Sequence, residues 1–299
     1  MPSRLIDLHS HSRYSDGSDS PAELIAEASA AGVDVVALTD HDTLAGIDEA
    51  TVAIRGTGMT LVPGIELSAQ VIDPVPGAIP RSVHVLGLLV DAHDAELVAE
   101  MARIRDHRAD RLRLMVEKLA VDFDIGWDEV RGGMAAGATP GRPHIAQVLI
   151  TKGYFPDTDA AFATALRADG PYHVPHYAPR LLRALEIITN AGGVAILAHP
   201  ATGARSGAVD HAAALPEVIA AYQTYVEAGL AGLEIDHREN TDDGKAVLRS
   251  VASELGLIVT GSSDYHGDRK GNRLGENTTS EDNYEAILSR ATGAAPISS

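Results

Sequence analysis

Short apolar runs alternate with helical patterns in the first third of the chain, and the alternation resumes after residue 190. This pattern is typical of βα units and of a mostly parallel sheet. The predicted strands are Leu5 to Leu8, Val35 to Leu38, Thr60 to Leu67, Val83 to Val90, Val194 to Leu197, Leu233 to Ile235 and Leu257 to Thr260. The helices predicted between them include Pro21 to Ala31, Leu44 to Ile54, Leu215 to Ala228 and Asp242 to Leu255. The sequence therefore predicts an α/β fold with seven strands, for which a parallel barrel is plausible.

A helical pattern interrupts this alternation, and we expect a helical insertion domain at residues 95–189 within a barrel domain of residues 1–94 and 190–299. The long helix from Asp94 to Leu119 has an apolar stripe, and its arginines are predicted to form a solvated face. These arginines are Arg103, Arg105, Arg108, Arg111 and Arg113. Shorter helices are predicted at Trp127 to Ala136 and Pro143 to Lys152, and residues Ala291 to Ser299 are expected to fray.

The overall charge is strongly negative, because 42 acidic residues face 24 basic ones, for a formal net charge of −18. Such a field repels polyanions, so extended DNA binding is not expected, although bound cations could still attract a small phosphate. The absence of cysteine excludes disulfides and thiolate chemistry. No apolar stretch approaches the ~18 residues of a membrane helix and no signal-type segment follows Met1, so we expect a cytoplasmic protein without membrane contact. The sequence predicts no oligomeric state.

Histidines and carboxylates follow or occupy almost every predicted strand. They are His9, His11, Asp16, His41, Glu66, His84, His199, Asp264 and His266. In a parallel barrel the carboxyl ends of the strands meet at one mouth, where these nine side chains would become neighbours. His9 and His11 are two residues apart, so in an extended chain both point to the same side and can reach one cation. A metal site built from nitrogen and oxygen ligands is therefore predicted.

Each of these residues also has a simpler interpretation. The His9-Ser10-His11 segment alone could be a surface pair, and Asp42 or Thr43 could cap the following helix, with the acids beside His41 orienting it. Glu66 lies in an apolar strand, where a carboxylate is costly unless it is paired or binds a cation, but it could also lie exposed at the barrel rim. His84 and His199 lie beside apolar runs and could be hydrogen-bonded core histidines.

Together, and in this order along the chain, these segments resemble the polymerase and histidinol phosphatase (PHP) family. The matching motifs are His9-Ser10-His11 with Tyr14-Ser15-Asp16-Gly17, Thr39-Asp40-His41-Asp42, Gly64-Ile65-Glu66, Val83 to Gly87, Ala198-His199-Pro200 and Gly261 to His266. The resemblance spans residues 7 to 267 and implies a distorted seven-stranded βα barrel, the PHP fold, with two or three metal ions.

The resemblance also implies a ligand set for each ion. His9, His11, Glu66 and Asp264 would hold the first ion. Glu66, His84 and His199 would hold the second, with Glu66 as the bridge, and Asp16, His41 and His266 the third. Imidazole and carboxylate ligands suit Mn, Fe or Zn. The residues expected to take part in catalysis are Glu66, His199, Asp264 and His266.

The segment Gly141-Arg142-Pro143-His144 resembles an element of the subgroup of this family that acts on nucleotide phosphates. Arg142 would stand just before a helix start, where a guanidinium and free backbone amides suit a second phosphate, although it could also be an ordinary surface arginine. His144 and His237 are further candidates for substrate binding. A Pro-rich loop is predicted at residues 73–80, where it would shape the mouth of the pocket.

The leading hypothesis is metal-dependent hydrolysis of a phosphate ester, with a metal-activated hydroxide as the nucleophile. The expected substrates are small nucleotides such as 3′,5′-bisphosphates, or short 5′-phosphorylated RNA trimmed from its end. An amidohydrolase that cleaves C–N bonds is an alternative from the same chemistry, and a non-catalytic PHP module is another. Arg142 favours phosphate over a neutral amide, and the complete set of nine ligands argues against a module that has lost its activity.

Overall fold

The computed structural model describes residues 4–72, 80–202 and 208–299, and within them it shows a nearly closed barrel of seven strands. The strands are β1 (Ile6–Asp7), β2 (Val35–Leu38), β3 (Thr60–Val71), β4 (Arg81–Leu88), β5 (Val194–Leu197), β6 (Leu230–Asp236) and β7 (Ile258–Gly261), with β8 (Ile297–Ser298) outside the barrel order. They are neighbours in chain order from β1 to β7. Beyond the strand ends, His11 N–H donates to the Tyr265 carbonyl at 2.8 Å and links the two edges. The predicted barrel is therefore confirmed.

The predicted helices are present, most with bounds within about three residues of those expected. The helices are α1 (Pro21–Ala30), α2 (Ile47–Ala53), α3 (Ala95–Leu119), α4 (Trp127–Gly132), α5 (Arg142–Thr151), α6 (Thr158–Ala163), α7 (Leu181–Asn190), α8 (Leu215–Glu227), α9 (Asp242–Leu255) and α10 (Glu281–Arg290). Of these, α6, α7 and α10 were not predicted individually. Ser20 caps α1 by accepting the backbone N–H of Glu23, as its sequence indicates. The cap proposed for α2 is wrong: its N-cap is Gly46, without a side-chain hydrogen bond. Among the helices described, none combines the length and apolar character that crossing a membrane requires.

Strand β4 differs from a purely parallel barrel, because it runs antiparallel to both β3 and β5. A parallel pair needs a crossover of a dozen or more residues, and the interval from Val71 to Arg81 is too short for one. The reversal places the beginning of β4, rather than its end, at the mouth where the other strands finish. His84 lies four residues into β4 and opposite Ser68 of β3, so the reversal brings it to that mouth.

Two expectations outside the barrel are wrong. The end of the chain is not frayed: Leu61 of β3 pairs with Ile297 of β8, and Thr60 pairs with Ser298. The arginines of α3 do not form one solvated face, because Arg111 is only 7% exposed and Arg108 pairs with the buried Asp42. The Pro-rich loop predicted at residues 73–80 lies almost wholly outside the described residues.

The helical segment has an apolar core of its own, formed by the second half of α3 with α4, α5 and α6. Leu112, Met115 and Leu119 contribute one stripe of α3 to it. Earlier residues of the same helix, such as Leu97 and Ile104, instead join the apolar cluster under the barrel strands. Helix α3 is therefore shared between the barrel and the helical segment, and it carries the helical segment across the mouth of the barrel. The division into two domains stays a prediction.

Candidate active site

The nine histidines and carboxylates predicted as ligands lie together at the mouth of the barrel, each within 3.8 Å of at least one of the others. We refer to them as the histidine–carboxylate cluster. His9, His11 and Glu66 are almost fully buried, whereas the side chains of His84 and His199 are 24% and 19% exposed. The cluster therefore has a buried floor and one face that opens toward solvent.

Glu66 lies at the centre of the cluster, since five imidazoles surround its carboxylate. Its Oε1 lies 2.9 Å from His84 Nδ1 and 3.2 Å from His199 Nε2. Its Oε2 faces the other three, and His41 Nδ1 is the nearest at 3.0 Å. Glu66 lies in the middle of the long strand β3. Its two carboxylate oxygens contact different histidines, as a bridging ligand requires. The interpretation as an exposed rim residue is excluded, because Glu66 is 1% exposed.

A second group forms around Asp264, just past the end of β7. Its Oδ1 lies 3.4 Å from His9 Nε2 and 3.3 Å from His11 Nε2, and those two nitrogens are 2.9 Å apart. The Nδ1 atom of His9 is already used, since it lies 2.9 Å from a carboxylate oxygen of Glu234. The Nε2 lone pairs of the two histidines therefore converge on one point, which is the geometry of a shared cation.

The third group surrounds Asp16, in the loop after β1. Its Oδ1 lies 3.2 Å from His266 Nε2, and its Oδ2 lies 3.7 Å from His41 Nε2. Ligand atoms close enough to share an ion occur in three sets: His11, Asp16, His41 and His266; His9, His11 and Asp264; and His41, Glu66 and His84. These sets overlap the predicted ones but differ from each of them. The set for the first ion lacks Glu66, that for the second has His41 in place of His199, and that for the third gains His11.

The protonation of the cluster reflects its density of charge. Burial alone would raise the pKa of Glu66, but the facing histidines, led by His41, hold it well below its usual range. Burial lowers the pKa of His9, yet the carboxylates of Glu234 and Glu66 outweigh it and hold the value well above the usual one. Burial of His11 is likewise outweighed by its two carboxylate partners, which raise its pKa to about 9. Ionised carboxylates thus create a strong demand for positive charge, which divalent cations would meet.

Two buried carboxylates outside the nine hold the cluster in position, and of these Glu234 was not predicted from the sequence. Glu234 of β6 accepts from His9 Nδ1 and from Ser262, and it accepts the backbone N–H of His199 at 2.9 Å. Asp40 accepts the backbone N–H of Ser12 at 2.8 Å and so fixes the loop after β1 rather than orienting His41. The signal for Glu234 was an acidic residue inside an apolar strand, as for Glu66.

The backbone is strained at two of the nine residues. His199 has a φ of 29° and Asp264 a φ of 51°, in the left-handed region that side chains other than glycine rarely adopt. Asp42, next to His41, has a φ of 54°, and it accepts from the backbone N–H and hydroxyl of Ser68. Such strain persists where the surrounding structure enforces it, and it concentrates at functional sites. Its position here supports a functional role for this mouth of the barrel.

The predicted substrate residues lie in two different places. Arg142 is the first residue of α5; its Nη1 donates to the Leu166 carbonyl at 2.9 Å and its guanidinium lies over the Phe162 ring. His144 is buried at the start of the same helix, where its pKa is lowered by burial and by the charge of Arg269. His237, just past the end of β6, is instead fully buried, and its Nε2 lies 3.5 Å from Asp264.

A cavity of about 590 Å³ lies between the helical segment and the loop after β1. It is lined by Arg13, Tyr14, Ser18, His144, Arg269 and residues 132–136. Arg269 donates to the carbonyl of Asp16 at 3.1 Å, so the cavity adjoins the third ligand group directly. Its lining is basic in a strongly acidic chain, which suits an anionic ligand.

Comparison with known proteins identifies the family. Residues 7–132 match the PHP domain. A 3′,5′-nucleoside bisphosphate phosphatase of Chromobacterium violaceum is 32% identical over 90% of this chain and 89% of its own length. The chain belongs to the PHP domain family. A 5′-3′ exoribonuclease of Haemophilus influenzae is also 32% identical, over 87% of this chain and 89% of its own length.

A solved structure agrees with this assignment. The crystal structure of a predicted metal-dependent phosphoesterase from Bifidobacterium adolescentis has a TM-score of 0.88 and 35% identity, covering 97% of this chain and 98% of that one. The PHP protein described here is thus a metal-dependent phosphoesterase. Its cluster fits divalent cations, since Nδ1 of His41 and of His84 are buried without a hydrogen bond and lie 3.0 and 2.9 Å from the carboxylate oxygens of Glu66, so nitrogen and oxygen donors face each other.

Proposed function

We propose that this phosphoesterase cleaves the bond between phosphorus and O3′ of a nucleotide that also carries a 5′-phosphate. One bond then accounts for both expected substrates. If the 3′-phosphate is terminal, water replaces O3′ at phosphorus and releases inorganic phosphate and a 5′-mononucleotide. If the 3′-phosphate continues into RNA, the same step releases the first nucleotide and leaves a new 5′-phosphate on the remaining chain. In both cases O3′ leaves with a proton.

The observation that carries this proposal is the position of the histidine–carboxylate cluster, which opens beside two basic regions. His84 and His199 form its most exposed edge, so we place the reacting phosphoryl group there. Arg142 stands beyond this edge at the start of α5, and the cavity lined by His144 lies beside Asp16. A substrate with two phosphates, or with a phosphate and a nucleotide chain, meets positive charge on both sides of the reacting group.

The proposed ligands are the nine residues of the histidine–carboxylate cluster, holding two or three ions of Mn, Fe or Zn. Divalent cations, when bound, supply an acidified water and neutralise charge on the phosphoryl oxygens. Glu66 keeps neighbouring ligand groups together, and Asp264 and His266 join the first and third groups. His199 presents its imidazole to the open edge, where it can contact the reacting group.

His144 and His237 receive different proposed roles. His144 lines the cavity and can contact the nucleotide. His237 accepts the backbone N–H of Glu239 at Nδ1, and its buried Nε2 lies 3.5 Å from Asp264 without a hydrogen bond. Its complete burial favours a role in orienting Asp264 over the predicted contact with substrate. Cytoplasmic residence stays a prediction from the sequence.

A hydrolysis screen with Mn²⁺ tests the function. It would compare adenosine 3′,5′-bisphosphate, adenosine 3′-monophosphate, short RNA with and without a 5′-phosphate, histidinol phosphate and an amide. We expect turnover of the bisphosphate and of 5′-phosphorylated RNA, and its loss in Glu66→Ala and His84→Ala. Val121→Ser, at an 82% exposed residue, is a control that should retain full activity. Full activity in both cluster variants, or turnover of the amide alone, would refute the proposal.

A further inference from the structure

A lysine contacts one of the proposed metal ligands at the mouth of the barrel. Nζ of Lys270 lies 2.6 Å from Oδ2 of Asp264. The other carboxylate oxygen, Oδ1, lies 3.4 Å from His9 Nε2 and 3.3 Å from His11 Nε2, at the position that suits a shared cation. The two oxygens of Asp264 therefore face different partners, a cation position on one side and an ammonium group on the other.

The other two carboxylates of the histidine–carboxylate cluster have different surroundings. Both oxygens of Glu66 and both oxygens of Asp16 are paired with imidazoles. An imidazole can release its proton and bind a metal ion. An ammonium group that is paired with a carboxylate stays charged at neutral pH and offers no lone pair to a metal. Asp264 therefore has a permanent positive neighbour.

The chain segment that carries Lys270 is anchored beside the site. Lys270 follows a short 3₁₀ turn at Gly267–Arg269. The backbone N–H of Asp268 in this turn donates to Ser18 Oγ at 2.9 Å, which ties the turn to the loop after β1. The side chain of Lys270 is 36% exposed and that of Asp264 is 3% exposed. The ammonium group thus reaches a buried carboxylate from the solvent side.

Asp264 has contacts of its own that hold its backbone in place. Asn272 Nδ2 donates to the carbonyl of Ser263 at 2.7 Å and to that of Asp264 at 3.2 Å. His266 Nδ1 lies 2.8 Å from the same Asp264 carbonyl. These contacts support the left-handed conformation at Asp264, and none of them involves Lys270. The positive charge of the lysine, more than its help in placing Asp264, is therefore the feature that needs a function.

Two cations that share one carboxylate weaken each other's binding. A divalent ion held by Oδ1 is attracted by the charge of Asp264 and repelled by the ammonium group of Lys270. A lysine that only oriented the carboxylate would instead strengthen metal binding, as the outer partners of metal ligands usually do. The two roles therefore predict opposite changes in metal affinity when the lysine is replaced.

We propose that Lys270 is a built-in counter-ion of Asp264 that weakens binding of the first ion, so that occupancy of this position follows the concentration of free metal. This inference rests on the proposed function, because it takes Asp264 as a ligand, and it adds regulation by metal supply. Without the first ion, Lys270 compensates the charge of a buried carboxylate that would be costly alone. With the ion bound, the two cations share Asp264, and the ion is held less tightly than its ligands alone would hold it.

Calorimetric titration of metal-free protein with Mn²⁺ tests this inference. Asp264→Asn identifies the first ion as the binding step that this variant weakens. Lys270→Met should tighten the same step by roughly tenfold, because one repelling charge is removed. The Mn²⁺ concentration that gives half-maximal hydrolysis should fall by the same factor. Lys270→Arg keeps the charge and should bind Mn²⁺ as wild type does.

Two further variants act as controls. Arg273→Met is matched to Lys270→Met, since Arg273 lies three residues further along the chain at an exposed position and carries the same charge. Its replacement should leave the affinity unchanged. Lys270→Met combined with Asp264→Asn should bind Mn²⁺ as Asp264→Asn alone does, because the shared carboxylate is absent. Should Lys270→Met not fold, Lys270→Gln replaces it, and the same tightening is required.

The outcomes separate this inference from the proposed function. If Lys270→Met binds Mn²⁺ with unchanged or weaker affinity while wild type hydrolyses the nucleotides, the function stands and the counter-ion is refuted. Tightening that persists in the Asp264→Asn background would also refute it, because the effect would not pass through the shared carboxylate. If neither the bisphosphate nor 5′-phosphorylated RNA is hydrolysed, the proposed function fails, and the Mn²⁺ titrations still decide the role of Lys270.

Discussion

Nδ1 of His9 lies 2.9 Å from a carboxylate oxygen of Glu234, and both side chains are fully buried. This contact fixes the orientation of the ring and leaves Nε2 of His9 pointing at the position it shares with His11. Partners of this kind set the tautomer and raise the basicity of a metal-binding histidine. Glu234 also accepts the backbone N–H of His199, so one carboxylate positions two members of the histidine–carboxylate cluster.

Replacing Glu234 with glutamine is therefore expected to weaken metal binding about 10- to 100-fold. The amide group of glutamine cannot accept all of the bonds that the carboxylate accepts now. The measurement is a titration of metal-free protein with Mn²⁺ or Zn²⁺. Asp236→Asn is a matched control, because Asp236 lies on the same strand but pairs with Arg249 at the surface. Equal affinity in Glu234→Gln and wild type would show that His9 is oriented by other contacts.

The barrel and its ligands could be predicted because their signals are local. Alternating apolar runs gave seven strands, and the residue types that follow them gave nine donors that do lie together. Glu234 carried the same local signal as Glu66, an acid inside an apolar strand, but no family motif covers it, and its contact with His9, 225 residues away, appears only in the folded chain. The arginines of α3 were misjudged for a related reason. Arg111 sits at a helix position whose exposure depends on α5 and on the segment before α7, and helical periodicity does not show which helix packs on that side.

The direction of β4 and the end of the chain were also beyond local patterns. A strand has the same alternation in either direction, so only the short connection to β3 reveals that β4 is antiparallel. The end of the chain is small and polar, which resembles a flexible tail, yet Leu61 and Ile297 pair across more than 200 residues. Contacts of this range follow from the closed sheet and not from composition.

Removal of metal is expected to lower thermal stability. A ligand that binds only the folded state stabilises it by about 4 kcal/mol at 1,000 times its dissociation constant. For a chain of this size, we expect a strong chelator to lower Tm by roughly 5 to 10 °C. Thermal unfolding followed by circular dichroism, before and after chelation, measures the shift, and added Mn²⁺ should restore it. An unchanged Tm would mean that the histidine–carboxylate cluster does not hold ions in the purified protein.

The cavity beside Asp16 should affect long substrates more than short ones. Ala135 is one of its lining residues, and a tryptophan there would fill part of the space. We expect Ala135→Trp to raise KM for 5′-phosphorylated RNA by roughly tenfold, which corresponds to about 1.4 kcal/mol of lost binding free energy. The KM for adenosine 3′,5′-bisphosphate should change less, because this substrate has no following nucleotides to enter the cavity. Steady-state kinetics with both substrates test this. An equal change in KM for the two would place the first nucleotide, rather than the following chain, in the cavity.

His176 should make stability depend on pH. Its pKa is about 2 in the folded protein because of burial and the charges of Arg108, Arg111 and Arg142, against 6.5 for an unperturbed histidine. The unfolded chain therefore takes up a proton below pH 6.5 that the folded protein does not, and stability falls as the pH drops, by at most about 1.4 kcal/mol per pH unit. His176→Gln removes this contribution, so between pH 7 and pH 5 the free energy of unfolding of wild type should fall by roughly 1 to 2 kcal/mol more than that of the variant.

Urea unfolding of chelated protein at both pH values measures the difference. His93→Gln, at an exposed residue, controls for the removal of a histidine. The same loss in His176→Gln and wild type would contradict the buried, positively charged surroundings that Arg108, Arg111 and Arg142 give His176.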